Sequence, residues 1–379
     1  MVISRRGLLL GATALPLAWA ASARAVDEPI VIGVSGPLTG PNAQYGAQWK
    51  DGFELAFDEV GRTLNGRPVV LQFEDSQSDP RQAVAIAQKF VADPRIVIEL
   101  GDFSSTASMA ASPIYQRARL VQFGFTNSHP DFTKGGDYMW SNSVSQADEQ
   151  PLLASYAVKD LGFKRLAILH LNTDWGRTSK DLFARAAEAD GAAIVATEGY
   201  LADEKDFRPT LVRLRDAKPD ALILVSYYAD AALIARQVRQ QGMSQPMVAV
   251  SSVFSPKLIE LGGDAVEGLY TQSSFAASDP RPEVQKFTAA FRAKYGRDPD
   301  SFNVYGYDTI ILVHALMEQF GTTRQDLHDG LAKIKDVPSV IFGRASFDPA
   351  TRRVNNPHYT HLMVKGGRFV VFDPAAKPA

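Results

Sequence analysis

Hydroxyl, glycine and aromatic residues cluster in six short segments that could bind a small organic acid. These segments are residues 35–40, 101–106, 124–128, 172–176, 226–230 and 251–254. Hydroxyls and free backbone N–H groups at a helix start can donate to a carboxylate, at about 1.5–3 kcal/mol for each charge-assisted hydrogen bond. Aromatic rings can bury the apolar body of the same ligand. A single serine at a helix start is usually only a cap, but several such segments together favour a small carboxylate over a phosphate-rich nucleotide.

The residue types needed for most catalytic and metal chemistry are sparse. The chain has no cysteine, which excludes disulfides, thiolate metal sites and thiol nucleophiles. Of its six histidines, His358 and His361 are nearest in sequence, but a strand pattern there would send their rings to opposite faces. No nucleophile elbow, phosphate loop or dinucleotide fingerprint is present. We therefore predict no catalytic residue, no metal and no cofactor. An exported hydrolase is the weakest alternative because its sequence motifs are missing, and it stays an alternative because the residues of a catalytic triad converge only in space.

The elements that position the six segments alternate between strands and helices. Short apolar runs predict strands over residues 30–34, 69–73, 96–100, 120–123, 166–170, 193–196, 221–225 and 247–250. Helical patterns lie between them, such as the apolar face of Trp49, Phe53 and Phe57. This repetition predicts parallel sheets with right-handed crossovers, in two similar α/β lobes. Ligands bind beyond the carboxyl ends of such strands, where the six segments begin.

Composition and the first residues limit the partners and the location. The 379 residues include 40 basic and 42 acidic side chains, so no excess of positive charge favours nucleic acid. Arg5 and Arg6 precede an uncharged run over 7–22, and Ala23 and Ala25 occupy the positions that a signal peptidase reads. This pattern predicts a signal peptide over residues 1–25 and a periplasmic protein, with a retained membrane anchor as the alternative. The paired arginines also resemble a twin-arginine export signal.

Several motifs, taken together, resemble one family. They are IGVSGPLTG at 32–40, QYG at 44–46, DPRQAV at 79–84, DWG at 174–176, EKDF at 204–207, KPDA at 218–221, GGDAVEG at 262–268 and YGYD at 305–308. In their order and spacing they resemble the periplasmic solute-binding proteins of the branched-chain amino acid ABC transporter type. These are type I periplasmic binding proteins.

That resemblance implies two Rossmann-like α/β lobes with parallel central sheets, a three-segment hinge, and ligand in the cleft between the lobes. The expected lobes are residues 26–146 with 276–345, and residues 147–275 with 346–379. The expected crossings are near 143–149, 273–279 and 344–349. Ligand would close the hinge, and a permease in the inner membrane would recognise the closed form. The implied partners are thus a small-molecule carboxylate and a permease, with the protein acting as a non-enzymatic monomer. A ligand sensor without a transport role is an alternative on the same fold.

The resemblance and the composition of the loops together give eleven candidate ligand-binding positions. They are Tyr45, Phe103, Ser104, Ser105, Phe125, Thr126, Asp148, Trp175, Tyr227, Tyr228 and Ser251. Ser105 matches a serine that binds the ligand carboxylate. Phe125 and Thr126 match a pair that offers a backbone group and a hydroxyl. Tyr45, Tyr227 and Tyr228 match aromatic positions of the family, and Trp175 stands where the family often has tyrosine.

One position departs from the amino-acid-binding members of that family. They carry an acid in the loop after the last strand of the second lobe, where it pairs with the ligand ammonium, and Ser251 stands there in this chain. A neutral hydroxyl cannot compensate a buried ammonium. Either another acid substitutes, with Asp148, Asp174 and Asp230 as candidates, or the ligand has no amine. The aromatic loops favour a hydrophobic or aromatic carboxylate, with a branched-chain or other amino acid as the alternative.

Overall fold

The fold consists of short strands and longer helices in regular alternation. A computed structural model describes residues 28–354 and 358–373, so the predicted leader over 1–25 lies outside the described residues. The strands are β1 (Ile30–Gly36), β2 (Thr63–Leu64), β3 (Arg67–Asp75), β4 (Ile96–Leu100), β5 (Val121–Gly124), β6 (Met139–Ser141), β7 (Arg165–Leu171), β8 (Ala193–Tyr200), β9 (Ala221–Val225), β10 (Met247–Ala249), β11 (Tyr270–Ser273), β12 (Val337–Ser339), β13 (Gly343–Ala345), β14 (Phe347–Asp348), β15 (Arg353–Val354), β16 (Thr360–Val364) and β17 (Phe369–Val371).

The helices fill the connections between these strands. They are α1 (Ala43–Val60), α2 (Pro80–Ala92), α3 (Ser105–Ala118), α4 (Gln146–Ser155), α5 (Asp174–Ala189), α6 (Arg208–Asp216), α7 (Tyr228–Gln240), α8 (Pro256–Gly262), α9 (Pro282–Tyr295), α10 (Ser301–Phe320) and α11 (Arg324–Leu331). Shorter helical turns span Phe132–Gly135, Tyr156–Asp160, Ser251–Val253 and Gly263–Val266. Within the two described ranges, no helix is both long and apolar enough to cross a bilayer.

Two large sheets form the centres of two lobes. The first sheet has the order β14-β15-β6-β5-β4-β1-β3-β2, and the second has the order β17-β16-β11-β10-β9-β7-β8. Their central strands are parallel: β1 pairs with β3 and β4, and β7 pairs with β8 and β9. All eight predicted strands are present, several of them a few residues longer than the apolar run. The prediction of two α/β lobes with parallel sheets is therefore confirmed.

Burial explains why these runs form strands. Every residue of β4 and β9 is buried, as expected for strands with helices on both faces of the sheet. On α1, Trp49 and Phe53 are fully buried. Gly52 on the same helix allows a close approach to α10, because a Cβ there would lie 2.1 Å from the carbonyl oxygen of Asn303. This helix pair holds the start of α10 in place, and the start of α10 borders the cleft described below.

The chain passes between the lobes three times, after β6, after β11 and after β15. The third crossing comes later than the sequence suggested, because the hairpin of β14 and β15 hydrogen-bonds to the first sheet through the pairing of Arg353 with Ser141. Residues 347–354, predicted to belong to the second lobe, thus complete the first sheet. Asp348 makes this turn, since its carbonyl accepts from the N–H of Arg352 and its carboxylate from that of Ala350. The composition of residues 344–354 does not distinguish this hairpin turn from a crossing between the lobes.

Candidate functional site

A small enclosed cavity lies between the two lobes. It encloses about 50 Å³, several times the roughly 10–15 Å³ that one water molecule needs. Seven hydroxyl residues line it: Thr126, Ser128, Ser143, Ser251, Ser252, Ser274 and Ser301. Six aromatic residues line it as well: Phe103, Trp175, Tyr227, Phe302, Tyr305 and Tyr359. Val144 and Glu149 complete the wall, so the cavity combines neutral donors, ring faces and a single carboxylate.

The carboxyl ends of the strands supply much of this wall, as expected for parallel sheets. From the first sheet, Phe103 follows β4, and Thr126 follows β5. From the second sheet, Trp175, Tyr227 and Ser251 follow β7, β9 and β10. The two lobes therefore each present one face to the cavity.

Five of the eleven predicted binding residues line the cavity. They are Phe103, Thr126, Trp175, Tyr227 and Ser251. Thr126 is notable because its hydroxyl is buried and has no hydrogen-bond partner in the described part of the chain. A buried hydroxyl without a partner is costly, so a ligand atom at this position would be stabilising.

The two serines that begin α3 are used inside the protein. The hydroxyl of Ser104 caps the helix by accepting from the N–H of Ala107, and the hydroxyl of Ser105 accepts from the N–H of His129. Neither serine is among the residues that line the cavity. Their positions agree with the capping role that is the usual one for serine at a helix start.

The other four predicted residues also lie outside the cavity wall. Phe125 is buried against Trp49, with ring centroids 4.5 Å apart. Tyr45 is fully buried behind Phe103, with its ring stacked at 3.9 Å. Tyr228 is buried beside it, whereas Asp148 is exposed to solvent. The structure therefore gives Tyr45 and Tyr228 a supporting position and places Asp148 away from the wall.

Direct contacts hold the lobes together on either side of the cavity. The hydroxyl of Tyr45 donates to the carbonyl of Ser252 at 2.7 Å and accepts from the N–H of Tyr228 at 3.4 Å. The hydroxyl of Tyr228 donates to the carbonyl of Pro41 at 2.7 Å. The rings of Phe103 and Tyr227 meet with centroids 4.9 Å apart. Each contact joins one lobe to the other, so the structure shows the lobes closed on the cavity.

A second set of lobe-to-lobe contacts involves α5. The indole N–H of Trp175 donates to the hydroxyl of Ser128 at 3.2 Å, and the ring of His129 lies 2.9 Å from the hydroxyl of Thr178. Burial lowers the pKa of His129, which favours the neutral ring in this contact. The side chain of Ser128 is thereby held at the cavity wall.

Sequence reasoning missed Glu149, the one carboxylate in the cavity wall. Its Oε1 accepts from the N–H of Ser251 at 3.0 Å, although the two residues are 102 positions apart. Burial raises the pKa of Glu149, and the hydrogen bonds from Ser251 oppose that rise. A sequence signal was available: Gln146, Glu149, Gln150 and Leu153 have the spacing of one helix face, and all four are buried. Asp148 falls off that face.

A second buried acid lies behind the wall. Asp102 is buried in the loop between β4 and α3, where its Oδ1 accepts from the N–H of Ser104 and its Oδ2 has no described partner. Burial raises its pKa to about 6. Lysine, arginine and histidine are absent from the cavity wall. The charged side chains in the wall and in this loop are thus acids, whereas the buried guanidinium of Arg353 lies behind the wall and donates to the carbonyl of Ser143 at 3.1 Å.

The composition of the wall suits the binding of a small molecule. No histidine in the wall is available to activate a serine. Across the described residues, no group of three or more His, Asp or Glu side chains could hold a metal ion. What the arrangement offers is enclosure, hydroxyl donors and ring faces between two lobes.

The fold and this cavity define a protein that encloses a small solute between two lobes. A family model described as periplasmic binding protein matches residues 29–368. The chain belongs to the periplasmic binding protein family, in the branched-chain amino acid ABC transporter type, whose members bind solutes and are not enzymes.

Individual relatives agree with this assignment. Leu/Ile/Val-binding protein homolog 1 of Brucella abortus is 29% identical over 325 residues, which cover 84% of this chain and 86% of that protein. A solved structure described as a putative branched-chain amino acid ABC transporter from Rhodospirillum rubrum is 36% identical, with a TM-score of 0.65 over 91% of this chain and 100% of that one. A solute-binding protein of Rhodopseudomonas palustris BisB5, in complex with 3,4-dihydroxy benzoic acid, is 24% identical, with a TM-score of 0.81 over 90% of this chain and 95% of that one. This last similarity concerns the fold alone.

Proposed function

We propose that the protein binds a small hydrophobic or aromatic carboxylate between its lobes and presents it to the permease of an ABC importer. The observation that carries this proposal is the cavity wall of six aromatic and seven hydroxyl residues. We further propose that it works as a periplasmic monomer after removal of residues 1–25.

The carboxylate end of the ligand is best accommodated near Thr126. The hydroxyl of Thr126 is buried without a partner, and that of Ser128 lies beside it in the wall. Neutral donors can therefore satisfy the carboxylate without a lysine or an arginine.

The apolar body of the ligand would contact the ring faces. Phe103 and Tyr227 meet across the cavity, and Trp175 stacks on Tyr227 with centroids 4.8 Å apart. These rings leave only a small enclosed volume, so a single-ring acid requires the lobes to part before it is bound. Hinge opening followed by closure around the ligand is the type of motion that this architecture permits.

A branched-chain or other amino acid is the second candidate. Two observations favour it: the carboxylate of Glu149 in the wall, and the names of relatives such as the Brucella abortus protein. Both candidates share a carboxylate and an apolar body. They differ in the amine.

A binding panel tests the proposed function. The protein is dialysed free of small molecules and titrated calorimetrically with benzoate, hydrocinnamate, isocaproate, phenylalanine, leucine and isoleucine, with glucose as a control ligand. Thermal unfolding is followed in parallel, because a ligand at 100 times its Kd stabilises the folded state by about 2.7 kcal/mol. We expect binding by at least one acid with an apolar body and none by glucose. Absence of heat and of a thermal shift with every acid would contradict the proposed function.

A further inference from the structure

We infer that Arg353 determines the charge of the ligand from behind the cavity wall: its buried guanidinium balances the negative charge of a carboxylate that the neutral hydroxyls of the wall bind directly. This inference rests on the proposed function and adds a specificity-determining residue to it. Arg353 begins β15, the last strand that the chain adds to the first sheet before the third crossing. Its side chain is not part of the wall itself.

The guanidinium of Arg353 is buried among neutral oxygen atoms. The residue is 8% exposed. Its Nη2 donates to the carbonyl of His129 at 2.7 Å, and its Nη1 donates to the carbonyl of Ser143 at 3.1 Å and to the hydroxyl of Ser141 at 3.3 Å. Its Nε–H has no hydrogen-bond partner in the described part of the chain. Because burying a charge without a counter-charge is costly, an anion nearby would be stabilising.

The titratable groups that face Arg353 do not neutralise it. Within residues 28–354 and 358–373, its guanidinium forms no ion pair with a carboxylate. Asp148 faces it from the first turn of α4 but is exposed to solvent, and burial lowers the pKa of His129, which favours a neutral ring. Burial also lowers the pKa of Arg353 to about 10, so the guanidinium stays charged at pH 7. A positive charge therefore remains behind this side of the wall.

The carbonyls that accept from Arg353 lie in the wall or directly beside it. Ser143 lines the cavity, and His129 follows Ser128, which lines it too. The unpartnered hydroxyl of Thr126 lies two residues before Ser128 in the same loop. A carboxylate at these hydroxyls would be separated from the guanidinium by little more than the backbone at Ser143. Across such a separation, attraction between opposite charges in a protein interior is large enough to change affinity about tenfold or more.

The wall offers no cation of its own to a carboxylate. Lysine, arginine and histidine are absent from it, and its one charged side chain is the acid Glu149. Asp102, behind the wall, is a second buried acid. Without Arg353 the charges nearest the cavity would therefore be negative and would oppose an anion. The hydroxyls supply the direct contacts, and Arg353 supplies the charge.

The test separates charge from hydrogen bonding at this one position. Arg353→Lys keeps the positive charge and loses the guanidinium fork, whereas Arg353→Gln keeps an N–H donor and loses the charge. Benzoate, hydrocinnamate and leucine are titrated calorimetrically into the wild type and both variants at pH 7, and the acid that the wild type binds most tightly is compared. We expect its Kd to rise about tenfold or more in Arg353→Gln and by no more than about threefold in Arg353→Lys.

The pH dependence of Arg353→Lys is a second measurement, which decides alone if Arg353→Gln does not fold. Burial lowers the pKa of a lysine, whereas an arginine stays charged. Titrations of the same acid between pH 5 and pH 9 should therefore show the Kd of Arg353→Lys rising relative to that of the wild type as the lysine loses its proton. A constant ratio of the two Kd values would overturn the inference, because a purely structural role of this side chain would not depend on its charge.

Arg324→Gln is the matched control. Arg324, at the start of α11, donates to the carbonyls of Ile96 at 2.9 Å and Asp93 at 2.8 Å, and Ile96 begins β4 at the end away from the cavity. This variant should lower the free energy of unfolding and leave the Kd unchanged. Equal losses of affinity in Arg353→Lys and Arg353→Gln, or a loss in Arg324→Gln as large as that in Arg353→Gln, would overturn the inference and leave the proposed function intact. Failure of the wild type to bind any of the three acids would instead count against the proposed function.

Discussion

Replacing Tyr45 by phenylalanine should weaken ligand binding by loosening the closed state. The Tyr45 hydroxyl bridges the lobes through its bonds to the carbonyl of Ser252 and the N–H of Tyr228. Phenylalanine keeps the stacked contact with Phe103 but leaves those two groups without this partner. When the lobes are open, water can satisfy both groups, so the cost falls on the closed form alone.

The size of this effect follows from the two contacts. The donation at 2.7 Å is a normal hydrogen bond, and the one at 3.4 Å is long and weak. A lost bond with a buried partner left unsatisfied costs about 1–2 kcal/mol in such a setting. Because binding requires closure, the apparent Kd should rise about 5- to 30-fold.

The assay combines calorimetry with small-angle scattering. The Kd for the best ligand of the panel is measured for wild type and Tyr45→Phe, and the radius of gyration is measured with and without ligand. Tyr295→Phe is the matched control, because its hydroxyl donates at 2.8 Å to the carbonyl of Asp51 within the first lobe. The control should lower the free energy of unfolding slightly and leave the Kd unchanged. An unchanged Kd in Tyr45→Phe, or an equal loss in both variants, would refute the assignment of this contact to the closed state.

Three further predictions concern the site and the scaffold. Thr126→Val should weaken binding of the carboxylate about 10- to 100-fold in calorimetric titrations, with unchanged thermal unfolding of the free protein; equal affinity would show that this hydroxyl does not contact the ligand. Gly52→Ala should lower the free energy of unfolding by about 1–3 kcal/mol in urea titrations, because its Cβ would press on the carbonyl of Asn303; a neutral result would mean that α1 and α10 can separate freely. Burial raises the pKa of Asp300 to about 7, so the folded state holds this proton longer than the unfolded chain. The free energy of unfolding should therefore fall as pH rises from 5 to 8, less steeply in Asp300→Asn; parallel pH profiles would refute this contribution.

The sheets were predictable from the sequence because their signal is local. A buried parallel strand is a short apolar run, and runs such as those of β4 and β9 needed no tertiary information. The segments that follow the strands were predictable for the same reason, since strand ends in a parallel sheet share one edge. Phe103, Thr126, Trp175, Tyr227 and Ser251 all lie in these segments, and the family resemblance added the roles of individual residues within them.

The remaining features depend on how distant elements meet. Which of two adjacent acids on α4 turns inward depends on the rotation of that helix, and this rotation is set by contacts with Ser251 and Gln272, which lie more than 100 residues later in the same lobe. Phe302 and Tyr305 reach the cavity because α10 packs against α1, more than 240 residues earlier. The late third crossing depends on the turn at Asp348. In the sequence, the short polar residues of this turn look the same as those of a linker between lobes.

The hairpin of β14 and β15 has a consequence for synthesis of the chain. The first sheet takes its first six strands from residues 30–141 and its last two from residues 347–354, and α10, at residues 301–320, packs on α1. While the ribosome is still adding the second half, the N-terminal part has neither its covering helix nor its final strands. A nascent chain stopped before residue 347 would leave β6 as an open sheet edge, prone to pair with other chains. Fragments truncated there should accumulate as aggregates, and the native N-terminal lobe should form only once nearly the whole polypeptide has been made.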